Sequence, residues 1–526
     1  MARGYRSFLH PIIFLLALLG MAWFFGIFST MNSGPYSTHQ WRQTDCLSIT
    51  QNYAEKGLPF LEPEIYWQGE GKGKTMSEFP IVYYIVGKIW SQTGKKYWIY
   101  RLLNFSIFLL GLYYLRKACN RFLKDEIWSS LLVLLVFTSP LLAYYSNNFL
   151  MNVNALSLAF VGAYHSTRYA FDRRPGSLTY AALFFCLAGL LKITSLLLFF
   201  AVGALLLFDA VKRKKIRDEW RNLLPFALTL LVIVTWYSFV HLYNARHLST
   251  VFLQGILPIW ELDHFDIANN FKLLTTDLLP EYFHPWVFVP LLTFALIILF
   301  VRKSVDTSLK WMSLLVLFGV ICYLLLFYQV FNHHDYYLIN LLPMVVLFLL
   351  VTVRFGQHRI PKIAGHPVTK LSVLGLLFFL CWNTAVQTRI KYSIADGWVS
   401  HSSLISEEDQ KYWEWFHWHY GRTLAELETI EPYLKSIGVE TSDQVVSVPD
   451  PSINISLYLM NRAGYTDFEF YDYQGEDRIE KFISLGAKYL VINSPDAYDI
   501  PHLQPYMTDS IGARGNTRIY RLSSRR

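Results

Sequence analysis

The chain has 526 residues, of which 53% are hydrophobic, 17% aromatic and only 16% charged. Soluble domains carry about a quarter charged residues, so this composition excludes an ordinary soluble protein and indicates a membrane protein. The net charge of +8 is unevenly distributed, since residues 1–388 carry 33 Lys and Arg against 19 Asp and Glu, and residues 389–526 carry 14 against 20. The basic part alternates with apolar runs, which is typical of loops flanking membrane spans and not of a nucleic-acid surface.

The first apolar run, Phe8 to Phe28, has no charged residue and is long enough to cross a hydrocarbon core of about 30 Å. It lacks a clear small-residue cleavage site, so we interpret it as a retained span and not as a signal peptide. Eleven predominantly apolar runs occur in all, at residues 8–28, 97–115, 127–145, 150–170, 178–191, 193–209, 223–243, 285–301, 311–330, 336–353 and 371–388. Basic clusters follow even numbers of runs, which predicts a cytoplasmic N-terminus and an outer C-terminus.

The stretch at residues 178–209 is too long for one span and short for two. Because basic clusters flank both of its ends, the chain must cross an even number of times. We therefore predict two short helices with Leu190–Ser195 at the outer tip. Lys192 then lies at the interface and not at mid-bilayer, where a lysine costs about 2.5–3.5 kcal/mol on insertion scales.

These patterns predict a mainly α, polytopic protein with about eleven transmembrane helices. Residues 1–390 form the transmembrane domain, with a first outer loop at residues 29–96, and residues 391–526 form a periplasmic domain. The latter mixes helix-like stretches with strand-like ones and is predicted to be a small α/β domain. The helix-like stretches are Thr423–Ile437 and Asp477–Leu485, and the strand-like ones are Val445–Val448, Tyr489–Ile492 and Arg518–Leu522.

The first outer loop contains the polar stretch THQWRQTDCLSITQNYAEKG, which extends from Thr38 to Gly57. An aspartate such as Asp45 can act as a general base for an acceptor group or bind a divalent metal. The planar fork of Arg42 suits a phosphate. The alternative is that this stretch caps a helix lying along the interface, with Trp41 in the aromatic belt.

Two more segments carry candidate site residues. Glu78 begins a short apolar stretch ending at Trp90, predicted to be an interfacial helix, where the glutamate is either catalytic or a favourable charge at the helix N-terminus. The tip Phe331–Tyr337, with the sequence FNHHDYY, suits phosphate recognition or metal binding, or is a polar turn with interfacial aromatics. The pair Asp263 and Asp266 is a weaker metal-type signal.

Taken together, the segments HQWRQTD, EFPIVYYIVGKIW, RLLN from Arg101, GLLKITSLLL and NHHDYYLINLLP resemble those of bacterial membrane glycosyltransferases of the GT-C fold. These are the relatives of dolichyl-phosphate-mannose–protein mannosyltransferases and of the lipid A aminoarabinose transferase. The resemblance covers residues 1 to about 390. Most of residues 391–526 lies outside it, although outer C-terminal domains are usual in that fold.

The resemblance implies a bacterial inner-membrane enzyme that transfers a sugar, with inversion, from a polyprenyl phosphate or diphosphate to a glycan, lipid or protein acceptor on the outer side. It implies that Asp45 activates the acceptor or organises the site, and Glu78 is the other candidate catalytic residue. The residues expected to bind substrate are His39, Arg42, Gln43, Arg101, Asn152, Lys192, His333, His334, Asp335, Tyr336 and Tyr337.

One residue departs from the pattern of many relatives. Asn152 stands where they carry a second acidic residue, and an amide cannot accept a proton as a base. Either Glu78 or an aspartate of residues 263–266 fills that role, or the site works with one carboxylate. The departure also weakens the case for a divalent metal such as Mg or Mn, which stays an open alternative.

Two other functions compete with this interpretation. A transporter or lipid flippase would be expected to show internal repeats and ionisable residues near mid-membrane, and neither occurs. A polysaccharide polymerase or ligase shares lipid-linked donors, but the first-loop motif fits it less well.

Overall fold

The computed structural model describes residues 2–524 apart from 175, 213–215, 253–254, 302, 333, 394–395 and 469–477, and it leaves out the side chains of residues 2–9 and 216–219. The predicted helix-like stretch that begins at Asp477 starts just outside the described residues. The candidate site residue His333 also lies outside them.

The first half of the chain is helical. The helices are α1 (Ala2–Phe24), α2 (Gln40–Glu55), α3 (Ile81–Thr93), α4 (Tyr97–Leu123), α5 (Glu126–Phe137), α6 (Pro140–Ser146), α7 (Asn152–Asp172), α8 (Ser177–Leu191), α9 (Leu197–Lys212) and α10 (Ile216–Arg246). A 3₁₀ turn, Ile193–Leu196, separates α8 from α9.

Helices continue through the second half of the chain. They are α11 (His264–Leu273), α12 (Leu279–Tyr282), α13 (Pro285–Phe300), α14 (Thr307–Leu326), α15 (Leu342–Arg359), α16 (Pro361–Ala364), α17 (Pro367–Ile390), α18 (Gly397–Ser400), α19 (Glu407–Thr423), α20 (Glu431–Ser436), α21 (Ile455–Met460) and α22 (Arg478–Ser484). A π-helical turn, Leu274–Leu278, joins α11 to α12. Short 3₁₀ turns lie at Ile259–Glu261, Tyr328–Asn332, Asp335–Leu341, Ala425–Thr429, Pro495–Ala497 and Gln504–Tyr506.

In the part of the chain that the structure describes, five strands lie near the C-terminus and form one mixed sheet. They are β1 (Gln444–Val448), β2 (Gly464–Thr466), β3 (Ala487–Ile492), β4 (Ser510–Arg514) and β5 (Thr517–Arg521). The order across the sheet is β2-β1-β3-β5-β4, with β1 parallel to β2 and β3, and β5 antiparallel to β3 and β4. The predicted small α/β domain is therefore confirmed, and the three predicted strands correspond to β1, β3 and β5.

The protein is a polytopic membrane protein, as predicted. Among the described residues, six helices are long and apolar enough to cross a membrane, and up to eight if two bent pairs each count as one span. Two further apolar helices, His10–Phe24 and Ser177–Leu191, are shorter. The count of eleven spans stays a prediction.

The bent pairs have a local cause that the apolar runs did not reveal. Helices α5 and α6 meet at 82°, because Pro140 cannot donate a backbone hydrogen bond and the Ser139 hydroxyl caps the new helix by accepting from Leu142 N at 3.2 Å. Helix α13 likewise begins at Pro285 and lies at 98° to the preceding helical segment.

The chain divides into two compact units. The first unit contains Met1–Ser33, Tyr97–Tyr237 and Gly255–Tyr392, and the second contains Gly34–Lys96, Ser238–Gln254 and Ser393–Arg526. The break at residue 392 lies two residues from the boundary predicted at 390. The first outer loop, however, belongs to the same unit as the C-terminal residues.

Close helix packing defines the first unit. A Cβ on Gly111 of α4 would lie 2.5 Å from Cβ of Ser157 on α7, so the two helices approach at a position where only glycine fits. Small residues of this kind allow backbones to approach in a membrane, where van der Waals contact and not water exclusion drives helix association.

The second unit is organised by main-chain pairing between distant segments. Gly464 of β2 donates its N–H to Tyr66 O at 3.0 Å and accepts from Gln68 N at 2.8 Å, so the first outer loop extends the sheet. A Cβ on Gly464 would lie only 1.9 Å from Val445 O of the neighbouring strand. The residue therefore has to be glycine for both edges of β2 to pair.

We expect Gly464→Ala to destabilise the second unit by about 1–3 kcal/mol or more, the usual cost of overpacking. Thermal unfolding and the rate of proteolysis in Tyr66–Gln68 would measure the change. The matched control is Gly421→Ala in α19, where a Cβ would meet nothing within 4 Å and where alanine favours the helix. Equal stabilities of the two variants would contradict the packing argument.

Candidate functional site

Helix α2 carries the principal candidate residues and is buried in the second unit. Every residue from Gln43 to Tyr53 on this helix is buried. The helix packs against α3 and α21. A helix lying along the membrane interface would expose one face, so the alternative of an interfacial helix is wrong.

Asp45 is not a helix cap. Helix α2 begins at Gln40, and the residue before it, His39, has left-handed backbone angles (φ 53°, ψ 40°) and makes no capping hydrogen bond with its side chain. Asp45 lies in the second turn and is only 2% exposed. Its Oδ1 has no hydrogen-bond partner among the described residues. The carboxylate therefore has no role in starting the helix.

Arg42 joins the two predicted catalytic carboxylates. Its Nη2 donates to both oxygens of Glu78, at 2.6 and 2.7 Å, and its Nη1 lies 3.8 Å from Asp45 Oδ2. The guanidinium also lies over the Phe252 ring, 4.6 Å from its centroid. We call Arg42, Asp45 and Glu78 the carboxylate cluster.

Glu78 is held by side chains and does not cap a helix. Helix α3 begins at Ile81 after Pro80, and Glu78 precedes it by three residues. Besides Arg42, its carboxylate accepts from the Tyr83 hydroxyl at 3.4 Å. The predicted helix at residues 78–90 thus exists with shifted bounds, and the capping alternative for Glu78 is wrong.

The protonation of Asp45 is set by competing effects. Burial raises its pKa, the Arg42 guanidinium lowers it, and the Glu78 carboxylate raises it again, with the result that the pKa lies at about 7. Burial also raises the pKa of the adjacent Cys46 to about 11, so this thiol stays protonated near neutral pH. The carboxyl group of Asp45 can therefore gain or lose its proton near neutral pH.

A C-terminal loop supports Asp45, and the sequence analysis missed it. Asn454 donates to Ser48 Oγ at 2.8 Å and to Thr44 O at 3.3 Å, on either side of Asp45. The carboxylate of Asp450 fixes this loop by accepting from Ser452 N at 2.9 Å and Ser456 N at 2.7 Å. An asparagine in a loop has no sequence signature, so only the three-dimensional contact reveals it.

Gln43, predicted to bind substrate, holds the entry to α2. Its amide nitrogen, Nε2, donates to Tyr36 O at 2.8 Å and Thr38 O at 2.9 Å, while its Oε1 accepts from Tyr36 N at 3.4 Å. These contacts fix the turn that contains His39. Both residues therefore lie next to the carboxylate cluster in sequence and shape its helix.

The first unit contains a second cluster, formed by the predicted tip, α6 and α7. Tyr145 donates to Asp335 Oδ1 at 2.6 Å, and Asn152 donates to Tyr336 O at 3.4 Å. The ring of His334 lies 5.3 Å from that of Tyr336 and 6.0 Å from that of Tyr337. We call these residues the tyrosine cluster.

Lys192 lies at the break between α8 and the 3₁₀ turn, as the predicted two-helix arrangement requires. Its backbone is extended (φ −159°, ψ 111°), and its Nζ lies 5.7 Å from the centroid of the Tyr337 ring. The structure thus brings Lys192 to the tyrosine cluster.

The side chain of Arg101 donates hydrogen bonds to backbone carbonyl groups. It is fully buried, its Nε donates to Ser33 O at 3.0 Å, and its Nη1 donates to Asn147 O. The guanidinium also lies 4.3 Å from the centroid of the Phe149 ring. These contacts tie the segment after α6 to the end of Met1–Ser33.

The sequence analysis also missed Lys391, at the end of α17. Its Nζ binds Glu281 Oε2 at 2.9 Å and lies 5.1 Å from the centroid of the Tyr144 ring, next to Tyr145 in sequence. The lysine is 1% exposed. Lys391 lies just past the last apolar run, where a basic residue has the pattern of an ordinary flanking charge, so the sequence does not single it out.

The metal alternative finds little support in the described residues. No group of three or more His, Cys, Asp or Glu side chains among them is arranged to hold a metal. Asp263, half of the acidic pair, caps α11 by accepting from Asp266 N at 2.8 Å. In the carboxylate cluster Arg42 already neutralises Glu78, so the donor set there does not fit a divalent cation.

Comparison with known proteins shows which fold the chain has. No protein-family model and no curated protein matches it in sequence. Among solved structures it is similar to ArnT from Cupriavidus metallidurans, crystallised with bound undecaprenyl phosphate, at a TM-score of 0.57 and 13% identity over 97% of each chain.

Two other similar structures come from different organisms. The arabinofuranosyltransferase AftD from mycobacteria matches at a TM-score of 0.51 and 13% identity, over 100% of this chain and 42% of the other. The Archaeoglobus fulgidus oligosaccharyltransferase, tethered to an acceptor peptide, matches at 0.51 and 10% identity, over 91% of this chain and 68% of the other. The chain therefore has the GT-C fold of polytopic membrane proteins.

Proposed function

We propose that this protein is a membrane glycosyltransferase that moves a sugar from a polyprenyl phosphate or diphosphate to a glycan, lipid or protein acceptor on the outer side of the bacterial inner membrane. The observation that carries the proposal is Asp45, a buried aspartate beside Arg42 with a pKa near neutrality. The printed names of the structures with the same fold support it, since they include an arabinofuranosyltransferase, an oligosaccharyltransferase and a protein bound to undecaprenyl phosphate.

The proposed chemistry uses Asp45 as a general base. The acceptor hydroxyl or amine gives its proton to Asp45 while its oxygen or nitrogen attacks the anomeric carbon of the donor sugar. The bond from that carbon to the phosphate oxygen breaks, the electron pair leaves with the lipid phosphate, and the configuration inverts. A base with a pKa near the working pH combines a populated basic form with adequate basicity.

Glu78 and Arg42 have supporting roles in this proposal. The doubly hydrogen-bonded Arg42–Glu78 pair keeps the guanidinium fixed beside Asp45. Arg42 thereby stabilises the basic form of Asp45, while Glu78 limits that stabilisation. Glu78 acts here as a positioning residue, because both of its oxygens are taken by Arg42.

We assign Lys192 to the phosphate of the donor. Lysine is a point charge suited to a phosphate oxygen, and Lys192 is the only lysine or arginine in residues 178–209. Asn152, His334, Asp335, Tyr336 and Tyr337 are assigned to donor binding. Transport of the lipid is the less favoured function, because the similar structures that carry an enzyme name are transferases.

The general proposal is tested by comparing the masses of envelope glycans, lipids and glycoproteins with and without the gene. Loss of one sugar from one class would identify both the donated sugar and the acceptor. Unchanged masses in all three classes would contradict a transferase function.

Asp45→Asn keeps the size and hydrogen bonding of the side chain but removes its charge. We expect the transfer rate to fall at least about 100-fold, the lower end of a general-base contribution, while the protein still inserts and binds the lipid-linked sugar. The matched control is Asp499→Asn, the same change at an exposed position of the second unit, which should leave the rate unchanged. Near-normal transfer by Asp45→Asn would remove Asp45 from catalysis.

The pH dependence checks the same assignment. The basic form of Asp45 forms as pH rises through about 7, so the rate should rise through that range and level off above it. Because the folded-state pKa lies above the unfolded value, the stability contributed by protonated Asp45 is present below about pH 4 and is lost as pH rises through about 7. Asp45→Asn should therefore unfold at a higher temperature than the natural protein at pH 8, and the difference should shrink towards pH 4.

Lys192→Ala should raise the apparent KM for the lipid-linked donor and leave the KM for the acceptor nearly unchanged. Steady-state kinetics with both substrates varied would measure the effect. Lys272→Ala, at an exposed position of α11 in the same unit, is the matched control. Unchanged donor kinetics in Lys192→Ala would exclude this residue from the donor site.

The proposed orientation has an independent test. A reporter fused after Lys124, between α4 and α5, should be active in the cytoplasm, and one fused after Asp396 should be active in the periplasm. Reporters active on the same side would refute the predicted odd number of crossings between these positions.

A further inference from the structure

A polar cavity lies at the end of α4 that carries the basic residues, and the proposed function does not use it. Its volume is about 300 Å³, at the lower end of small-molecule sites, which span about 300–1,000 Å³. The residues that matter for its chemistry are Pro11, Tyr113, Arg116, Lys117, Arg121 and Tyr164. All of them belong to the first unit.

The charge of this cavity is positive. Three cations line it against one carboxylate, that of Glu126. Arg116 is 3% exposed and binds Glu126 through Nη1, yet its Nε has no hydrogen-bond partner among the described residues. Arg121 is paired with Asp172 at 2.8 Å.

Of the three cations in the cavity, Lys117 is the one without a carboxylate partner among the described residues. Among the described residues, no carboxylate lies within ion-pair distance of it. Its Nζ instead faces three tyrosine rings, with centroids at 5.3 Å (Tyr113), 5.5 Å (Tyr114) and 4.9 Å (Tyr164). Ring faces attract a cation weakly compared with an anion, because they carry only a quadrupole. An anionic ligand would therefore attract the Lys117 ammonium group more strongly than the three rings do.

Phosphate is the anion that best fits this set of groups. An arginine and a lysine next to each other offer several N–H donors to a group with several acceptor oxygens. The tyrosine hydroxyls of the wall can also donate to such oxygens.

The surroundings favour a phosphate carried by a membrane lipid over one in solution. Helix α4 is a candidate membrane span. Pro11 of α1 lines the cavity, and the next turns of α1 expose Ile12, Leu15 and Leu16, which form an apolar stripe beginning there. Acyl chains can lie along such a stripe while the head group enters the cavity. Tyrosines and basic pockets between transmembrane helices are typical of head-group sites.

We propose that this cavity binds the phosphate of an anionic membrane lipid, with Lys117 and Arg116 as its ligands and the acyl chains along α1. Orientation alone explains basic residues at this end of a span. It does not require a pocket lined by tyrosines, nor an arginine that is only 3% exposed beside them.

The test uses the full purified chain and native mass spectrometry during titration with phosphatidylglycerol or phosphatidylcholine. We expect preferential binding of phosphatidylglycerol, and about fivefold weaker binding in Lys117→Gln, since a basic residue at a membrane surface contributes about 1 kcal/mol to such binding. The matched control is Lys124→Gln, the same change at an exposed residue of the same helix end that does not line the cavity. Its affinity should stay within twofold.

Two further arms make the result decisive. Lys117→Arg keeps the charge and should retain lipid binding. The melting temperature of Lys117→Gln serves as a separate control, because a binding loss caused by misfolding would be accompanied by a lower melting temperature. Excess inorganic phosphate should not displace the lipid. Equal binding of the two lipids, equal effects of Lys117→Gln and Lys124→Gln, or full displacement by inorganic phosphate would each overturn the proposal.

Discussion

The second unit depends on the ion pair between Arg42 and Glu78. Both side chains are largely buried, and removing charges from water is costly unless they are paired and fully hydrogen-bonded. Two short bonds from one guanidinium nitrogen to both carboxylate oxygens pair these charges. The other terminal nitrogen, Arg42 Nη1, has no hydrogen-bond partner among the described residues and lies 3.8 Å from Asp45 Oδ2. The pair allows the polar helix α2 to be buried. Asp45, the third member of the cluster, interacts with the guanidinium more weakly because of this longer distance.

The rest of α2 is stabilised by residues far away in the sequence. Asn454 bonds both sides of the turn that carries Asp45, Asn52 donates to Glu64 O at 2.8 Å, and Gln43 fixes the entry turn. Main-chain hydrogen bonds between Gly464 and the first outer loop add to these side-chain contacts. These contacts explain in physical terms why the loop at residues 34–96 and the C-terminal residues form one unit. The C-terminal sheet positions the first outer loop, and through it the candidate site.

The sequence predicted what depends on local pattern and missed what depends on distant contacts. Long apolar stretches predicted the membrane helices, and strand-like stretches in residues 391–526 predicted β1, β3 and β5. The paired basic flanks of residues 178–209 predicted the break at Lys192. The bend at Pro140 was hidden inside a run defined by hydropathy alone, and the bend at Pro285 coincides with the start of another run. Asp45 and Glu78 could be chosen as candidates because polar residues were dense there, but their shared partner Arg42 became apparent only from the geometry. Lys391 and Asn454 resemble an ordinary flanking charge and an ordinary loop residue, so no pattern singled them out.

Structural need alone does not account for an acid at position 45. An asparagine has the same shape, is neutral at every pH, and offers an amide that the surrounding carbonyl and carboxylate oxygens can use. The aspartate instead has an oxygen without a hydrogen-bond partner among the described residues, and burial opposes its charged form strongly enough to raise its pKa to about 7. Local features that lower stability without a structural benefit are expected at functional sites, because selection retains them only where their chemistry is used. The cost of Asp45 to the fold is thus an argument, independent of any similarity in fold, that a proton is transferred at this carboxylate.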